Sequence, residues 1–466
     1  MSKSSSDHLI ELINSLSKAE KRNFKLYAKR NSSQEDLKFI LLFDYIDKCS
    51  CYSDAEVLNK IPGIKKEQLS NIKAHLYKQL LAGLRVLNTT KYTQIEIREY
   101  IDYAVILLNK GFYHQALKQL EKAGQLAKNG GYNILALEVV ELEKIIESQF
   151  ITKTLSQRAD YLTHQSSSKE EQVSYSVFFS NLSLQLHALY LKVGFVRDEK
   201  ENLFVQQFFQ SKMIAFKIQE LGFEGKIYYY NAMVSYNHII QDFVMCYKYA
   251  RQWVDLFYEN PEYIDSRKEI FLRAQHNLLG ALFHLRDYKR FKEVFAKYDS
   301  EKDIMKGKEN IEQVYLLYLH MNRINQYYFE GNFDEGIRIV PEILDFIERY
   351  QSKMDEHQIV VLNYKIACLY FGSGDNKTTI RYLNKVIQFK DSSIREDIQC
   401  FARILNLISH FELGNNELVE YQVKSVYRFL IKMGELHGVQ KEIFFFLRQL
   451  PFSSLTEVRK AFKVLH

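Results

Sequence analysis

Five asparagines recur along this chain at nearly regular intervals. Asn231, Asn277, Asn322, Asn363 and Asn406 stand 46, 45, 41 and 43 residues apart. A side-chain amide donates and accepts at once, so it matches the N–H and C=O of a peptide group whatever side chains flank it. His238, Arg273, His276, Asn325, Tyr328, Tyr364 and His410 lie nearby in sequence and add imidazole, guanidinium and phenol groups. This is the chemistry of holding a polar backbone rather than of breaking a bond. A second set is basic. Lys65, Lys66, Lys73, Lys78 and Arg85 fall in a stretch where Glu67 is the only acid, and a helix carrying them would suit the phosphates of duplex DNA.

Signatures of catalysis are missing. The chain has no H-E-x-x-H, no phosphate-binding loop and no G-x-S-x-G. Gly372 and Gly374 give only G-x-G in a turn between predicted helices, without the strand a dinucleotide site needs. The thirteen histidines are scattered, and His276 and His284 are eight residues apart, too far for ligands on adjacent turns. Cys49 and Cys51 form a lone C-x-C with no second pair. The expectation is a protein that is not an enzyme and carries no metal or cofactor.

The elements that must position these groups read as helices. Of 466 residues only 4 are proline and 18 glycine, too few for a sheet rich in turns. Hydrophobic residues make up 47% and charged residues 26%, as in a folded globular chain. No apolar run reaches the roughly 18 residues of a membrane span, and the first residues lack a secretion-signal core. Five cysteines, an odd and sparse set, point to reduced thiols and a cytoplasmic setting. Net charge is +6, and residues 1–91, with 16 Lys and Arg against 10 Asp and Glu, account for all of it.

Residues 1–91 are expected to form a basic helical module. Ser17 and Glu20 make a capping box before one helix, further helices span about 37–48, 53–59 and 66–87, and Pro62-Gly63 turns the chain between the last two. From about residue 92, helical pairs repeat. Turns near Gly111, Leu155, Gly194, Gln241, Arg286, Gly331, Gly374 and Gly414 recur every 39 to 47 residues. Pro341 should kink or restart a second helix. The polar segment 154–175, with three consecutive serines, is expected to be an exposed loop. Residues 435–466, with a Pro451 turn and a Ser454/Glu457 box, are expected to form capping helices.

Several units resemble the tetratricopeptide repeat. In the first, Ala104, Leu107, Gly111, Tyr113, Ala116, Leu120 and Ala123 match its pattern. Tyr327, Gly331, Phe333 and Gly336 match in a later one, then Ala367, Tyr370, Gly374, Leu383 and Val386, and more loosely the unit around Gly414. The resemblance spans about residues 92–430, with a period longer than the family's usual 34 or so. It implies an all-α fold, a right-handed superhelix of antiparallel hairpins over 92–434 following the N-terminal module. It also implies that the first helix of each hairpin lines a concave surface, where this family often uses Asn to hold an extended peptide. The expected function is a non-catalytic scaffold or adaptor that binds a protein or peptide there, with no membrane contact and with self-association open. The alternative is a transcriptional or other nucleic-acid-binding regulator that uses residues 1–91 for DNA and the repeats to sense a partner.

Overall fold

The computed structural model describes residues 5–31, 37–49, 52–61, 63–150, 156–305, 309–351, 353–389 and 396–432. Among these residues all regular structure is helical and there is no strand. The chain divides into two compact units, 1–170 and 171–466.

The first unit opens with α1 (Ser5–Ser15), α2 (Lys18–Asn31), α3 (Leu37–Lys48), α4 (Asp54–Lys60) and α5 (Lys66–Asn88). The start of α2 is fixed as its sequence implies. Glu20 accepts from Ser17 N at 2.8 Å, and Ser17 Oγ accepts from Glu20 N at 3.2 Å. Leu9, Ile13, Phe24, Phe43, Leu76 and Leu80 are buried together between these helices. Then α6 (Thr93–Asn109), α7 (Tyr113–Asn129) and α8 (Asn133–Phe150) pack in succession, and α8 also reaches back to α6. Ala104, Ala116 and Ala123 in their shared core leave room for helix axes to approach closely.

Segment 154–175 overturns the expected loop. Its described residues belong to α9 (Ser156–Val193), a 38-residue helix. Polarity here marks helix surface, because Lys, Glu and Gln are good helix formers that side-chain pairing can hold in place. Arg158 bonds to Glu143 at 3.2 Å and Glu147 at 3.4 Å on α8, and Ser166 Oγ donates to Glu141 at 2.5 Å.

The second unit adds α10 (Glu199–Lys212) and then a series of paired helices. The pairs are α11 (Phe223–Ile239) with α12 (Phe243–Glu259), and α13 (Lys268–His284) with α14 (Tyr288–Ser300). Next, α15 (Glu309–Glu330) pairs with α16 (Phe333–Arg338) and α17 (Val340–Tyr350). Last come α18 (Glu356–Gly372) with α19 (Asn376–Ile387), and α20 (Glu396–Glu412) with α21 (Asn416–Lys432). Partners within a pair pack together, each second helix also touches the following first helix, and α13, α15, α18 and α20 contact one another in turn. No pair buries its own apolar surface. Trp253, Phe257, Phe271, Phe291 and Tyr315 share one core across three pairs, and Ile324, Ile343, Phe346, Ile366 and Leu383 share the next.

The turns explain the period. Gly194, Gly331, Gly374 and Gly414 have φ between 61° and 83°, and Gln241 and Arg286 hold the same left-handed conformation at 61° and 57°. Gly111 in the first unit is alike at 79°. After three of these turns an aspartate caps the next helix. Asp242, Asp287 and Asp375 accept from Met245 N, Arg290 N and Thr378 N at 3.0, 3.1 and 3.0 Å. Pro341 does restart its helix, standing in the first turn of α17, where its missing N–H costs nothing. Leu155, the Pro62 position and the expected cap at 435–466 lie outside the described residues.

Candidate functional site

Within the second unit, α11, α13, α15, α18 and α20, together with the end of α9, enclose a cavity of about 520 Å³. Apart from Phe195 and Cys246, its lining comes from that α9 end and the first helices of successive pairs. On α18 the lining residues His357, Val361, Tyr364, Lys365 and Cys368 form one helical stripe, and Met321, Asn325 and Tyr328 do the same on α15. The far wall is Asp397, Ile398 and Phe401 on α20. There the chain comes close to itself, since a Cβ on Gly194 would lie 3.6 Å from Asp397 Cγ.

Six of the twelve residues singled out in the sequence line this cavity: His238, His276, Asn277, Asn325, Tyr328 and Tyr364. The others lie elsewhere. Asn322 is fully buried behind the wall, where its Nδ2 donates to Tyr318 O at 2.8 Å and stands 3.1 Å from His276 Nδ1. Asn406 is buried with its Nδ2 3.5 Å from Asn384 Oδ1, and Asn231 Nδ2 donates to Ser183 Oγ at 3.3 Å. Arg273 is exposed on α13, and His410 Nδ1 stands 3.1 Å from Asn415 Nδ2. Several asparagines of the series turn back on their own helix. Asn277 and Asn363 each donate to the carbonyl four residues earlier at 2.8 Å, as Asn322 does. Only Asn277 of that series lines the cavity.

Lys365 is the polar centre. Its Nζ donates to Asn325 Oδ1 at 2.5 Å and lies 5.8 and 5.4 Å from the ring centres of Phe283 and Tyr328. Tyr328 OH donates to Lys365 O at 2.6 Å, which ties α15 to α18. His276 stacks on Tyr318 at 4.2 Å and 6°, and His284 on Phe243 at 4.2 Å and 5°. His238 packs among Tyr190, Phe195 and Phe243. Burial, then the Lys365 and Arg273 charges, push the His276 imidazole down to about 3. Burial and Lys365 lower His284 likewise. Burial raises the Cys368 thiol and the Tyr328 and Tyr364 phenols, so all three stay protonated at neutral pH.

Lys365, Cys368, His357, Phe283 and Asp397 were not among the residues singled out in the sequence, and His284 was weighed there only as a metal ligand. Following the α18 stripe from Tyr364 by steps of three and four would have found His357 and Cys368. Nothing in the sequence marked Asp397. In the first unit, Lys65, Lys66 and Lys78 are exposed. Lys73 is paired with Asp54 at 2.5 Å and lies 4.9 Å from the Tyr52 ring centre, while Arg85 is paired with Asp102 at 2.5 Å. Among the described residues no group of three or more His, Cys, Asp or Glu side chains is placed to hold a metal, and no helix is long and apolar enough to cross a membrane.

These features define an all-helical protein of successive helix pairs around a polar and aromatic cavity. Compared with known protein families and with curated proteins, the chain matches none.

Proposed function

We propose that the second unit is a non-catalytic binder of a protein or peptide segment, and that the chain acts as a scaffold or adaptor in the cytoplasm. In this reading the helix pairs stack as tetratricopeptide-like hairpins in a right-handed superhelix, and the cavity is its concave side. The observation that carries it is the lining, drawn almost wholly from the first helices of successive pairs. A volume of about 520 Å³ falls in the ordinary range for ligand pockets, so only a few residues of the partner enter while the rest lies outside. The walls mix aromatic faces with amides and one ammonium, which suits an extended segment with an apolar side chain. The raised thiol and phenols give no activated nucleophile, which favours binding over chemistry.

Gly280 supplies the test. It lines the cavity, and a Cβ there meets nothing within 4 Å, so a large side chain fills the space without clashing at its root. Peptides selected from a random library on the full-length chain should bind it and lose at least about tenfold in affinity on Gly280→Trp, with the thermal melt unchanged. Equal binding by a folded Gly280→Trp protein would refute the reading. The regulator reading is disfavoured because Lys73 and Arg85 spend their charge on Asp54 and Asp102. It would be revived by duplex DNA binding that weakens steeply with salt.

A further inference from the structure

The first unit holds a cavity of its own, of about 640 Å³, between α7, α8 and the first half of α9. No residue of the second unit takes part in it. Ala136, Val139 and Val140 on α8, with Leu117 and Leu120 on α7, give it an apolar floor. Polar contacts hold α9 over α8. Arg158 bonds to Glu143 at 3.2 Å, Ser166 to Glu141 at 2.5 Å, and Lys169 Nζ donates to Asn133 Oδ1 at 3.4 Å. Among the described residues the apolar core of α6, α7 and α8 takes nothing from α9. The long helix therefore bridges the floor without filling it.

The two ends of this cavity differ in charge. Asn133 and Glu143 are ten residues apart on α8, about 15 Å along its axis, so their partners Lys169 and Arg158 mark opposite ends. Lys128 stands at the Lys169 end, where burial and then the Lys128 charge lower the Lys169 ammonium. Gln125 and Asn129 share that face of α7, and Gln165 lies one turn before Lys169 on α9. Gln125, Lys128, Asn129 and Gln165 have no side-chain hydrogen bond or ion pair among the described residues. α8 begins at Asn133, so its dipole adds positive potential at the same end. At the other end burial raises the Glu143 carboxyl, and Glu147 and Glu121 press it the same way against Arg158. Two ammonium groups and three amides thus converge at one end, and Glu121 and Glu143 line the other.

We propose that this cavity binds a small phosphomonoester, its phosphoryl group between Lys128 and Lys169 and its apolar body along Leu120, Val139 and Val140. This does not rest on the peptide-binding reading of the second unit. A phosphoryl group brings three acceptor oxygens and close to two negative charges at neutral pH. It meets two ammonium groups that can only donate and three amides that can. It also stands between two like charges that repel each other in its absence. A carboxylate, with two oxygens and one charge, leaves part of this donor set unmet. Glu121 and Glu143 oppose an anion at the far end, which fixes the direction in which the ligand lies. The volume holds a ring or a short chain beside the phosphoryl group.

Isothermal titration of the full-length protein with phenyl phosphate is the test. Phenyl phosphate should bind saturably at one site, and benzoate and inorganic phosphate at least about tenfold more weakly. Lys128→Met should weaken phenyl phosphate on the order of ten- to a hundredfold, and Lys128→Arg should keep most of the affinity. Lys128 is exposed, so both variants should melt as the wild type does. Lys122→Met removes another exposed charge of α7, outside the lining, and should bind like the wild type. Any of three results would overturn the proposal: no saturable binding of phenyl phosphate, equal affinity for benzoate or inorganic phosphate, or equal losses in Lys122→Met and Lys128→Met. None of them bears on the peptide-binding reading, which stands or falls on Gly280→Trp.

Discussion

Arg286 and Gln241 stand at turns where the other pairs use glycine, and the difference between them can be predicted. Both backbones are left-handed, at φ of 57° and 61°. That conformation costs a residue with a Cβ about 1–2 kcal/mol. Glycine removes the cost but brings back about 0.5–1 kcal/mol through the greater freedom of the unfolded chain. Arg286→Gly should therefore stabilise the second unit by up to about 1.5 kcal/mol, since the exposed arginine has no side-chain hydrogen bond among the described residues. Gln241 is different. Its Nε2 donates to Val196 O at 2.7 Å and ties this turn to the chain after α9. Losing that bond costs about 0.5–1.5 kcal/mol, so Gln241→Gly should be less stable than Arg286→Gly by about that amount. Urea unfolding followed by tryptophan fluorescence reads this directly. Trp253, the chain's one tryptophan, is 1% exposed in the core between these two turns. A destabilised Arg286→Gly, or a Gln241→Gly more stable than Arg286→Gly, would refute the reasoning.

Other perturbations have equally definite outcomes. Gly336→Ala should destabilise by about 1–3 kcal/mol in the same assay, because the new Cβ would lie 2.8 Å from Leu369 Cδ2 across the α16–α18 contact. Lys365→Met should raise the titration points of His276 and His284, read from their ring protons by NMR, since each loses a neighbouring positive charge. His320 is buried against Phe346, and burial holds its imidazole down to about 4 against an ordinary 6.5. Between those values the unfolded chain binds a proton that the folded one does not. Stability is therefore complete above about pH 6.5 and falls as pH drops toward 4. His320→Leu should flatten that limb by about 1.4 kcal/mol per pH unit, and an unchanged slope in pH-dependent urea melts would refute the assignment.

The fold was legible where a backbone constraint left a mark on spacing. The turns at Gly111, Gly194, Gly331, Gly374 and Gly414 each hold positive φ, and counting onward from them located Gln241 and Arg286 although neither residue type advertises the conformation. Polarity misled at 154–175, because a helix dressed with Arg158, Ser166 and Lys169 has the composition of a loop until its partners Glu141, Glu143 and Asn133 are placed beside it. The site was legible only in part, for a related reason. A one-residue shift turns a helical side chain by about 100°, so a series drifting between 41 and 46 residues cannot keep one face. Asn277 lines the cavity, while Asn322 and Asn406 point into the packing. The asparagine that does line α15 is Asn325, three residues along. Asp397 enters only because the chain returns to Gly194, a neighbourhood no local pattern encodes.

That return has a kinetic meaning. Contacts between successive helix pairs join residues a few tens of positions apart, whereas Gly194 and Asp397 are roughly two hundred apart. Closing so long a segment carries the largest entropy debt of any contact described in this unit. The closure is therefore expected to form late in assembly. Late closure would also leave the α9 end and α20 apart in partly folded chains, joined only through the intervening helix pairs.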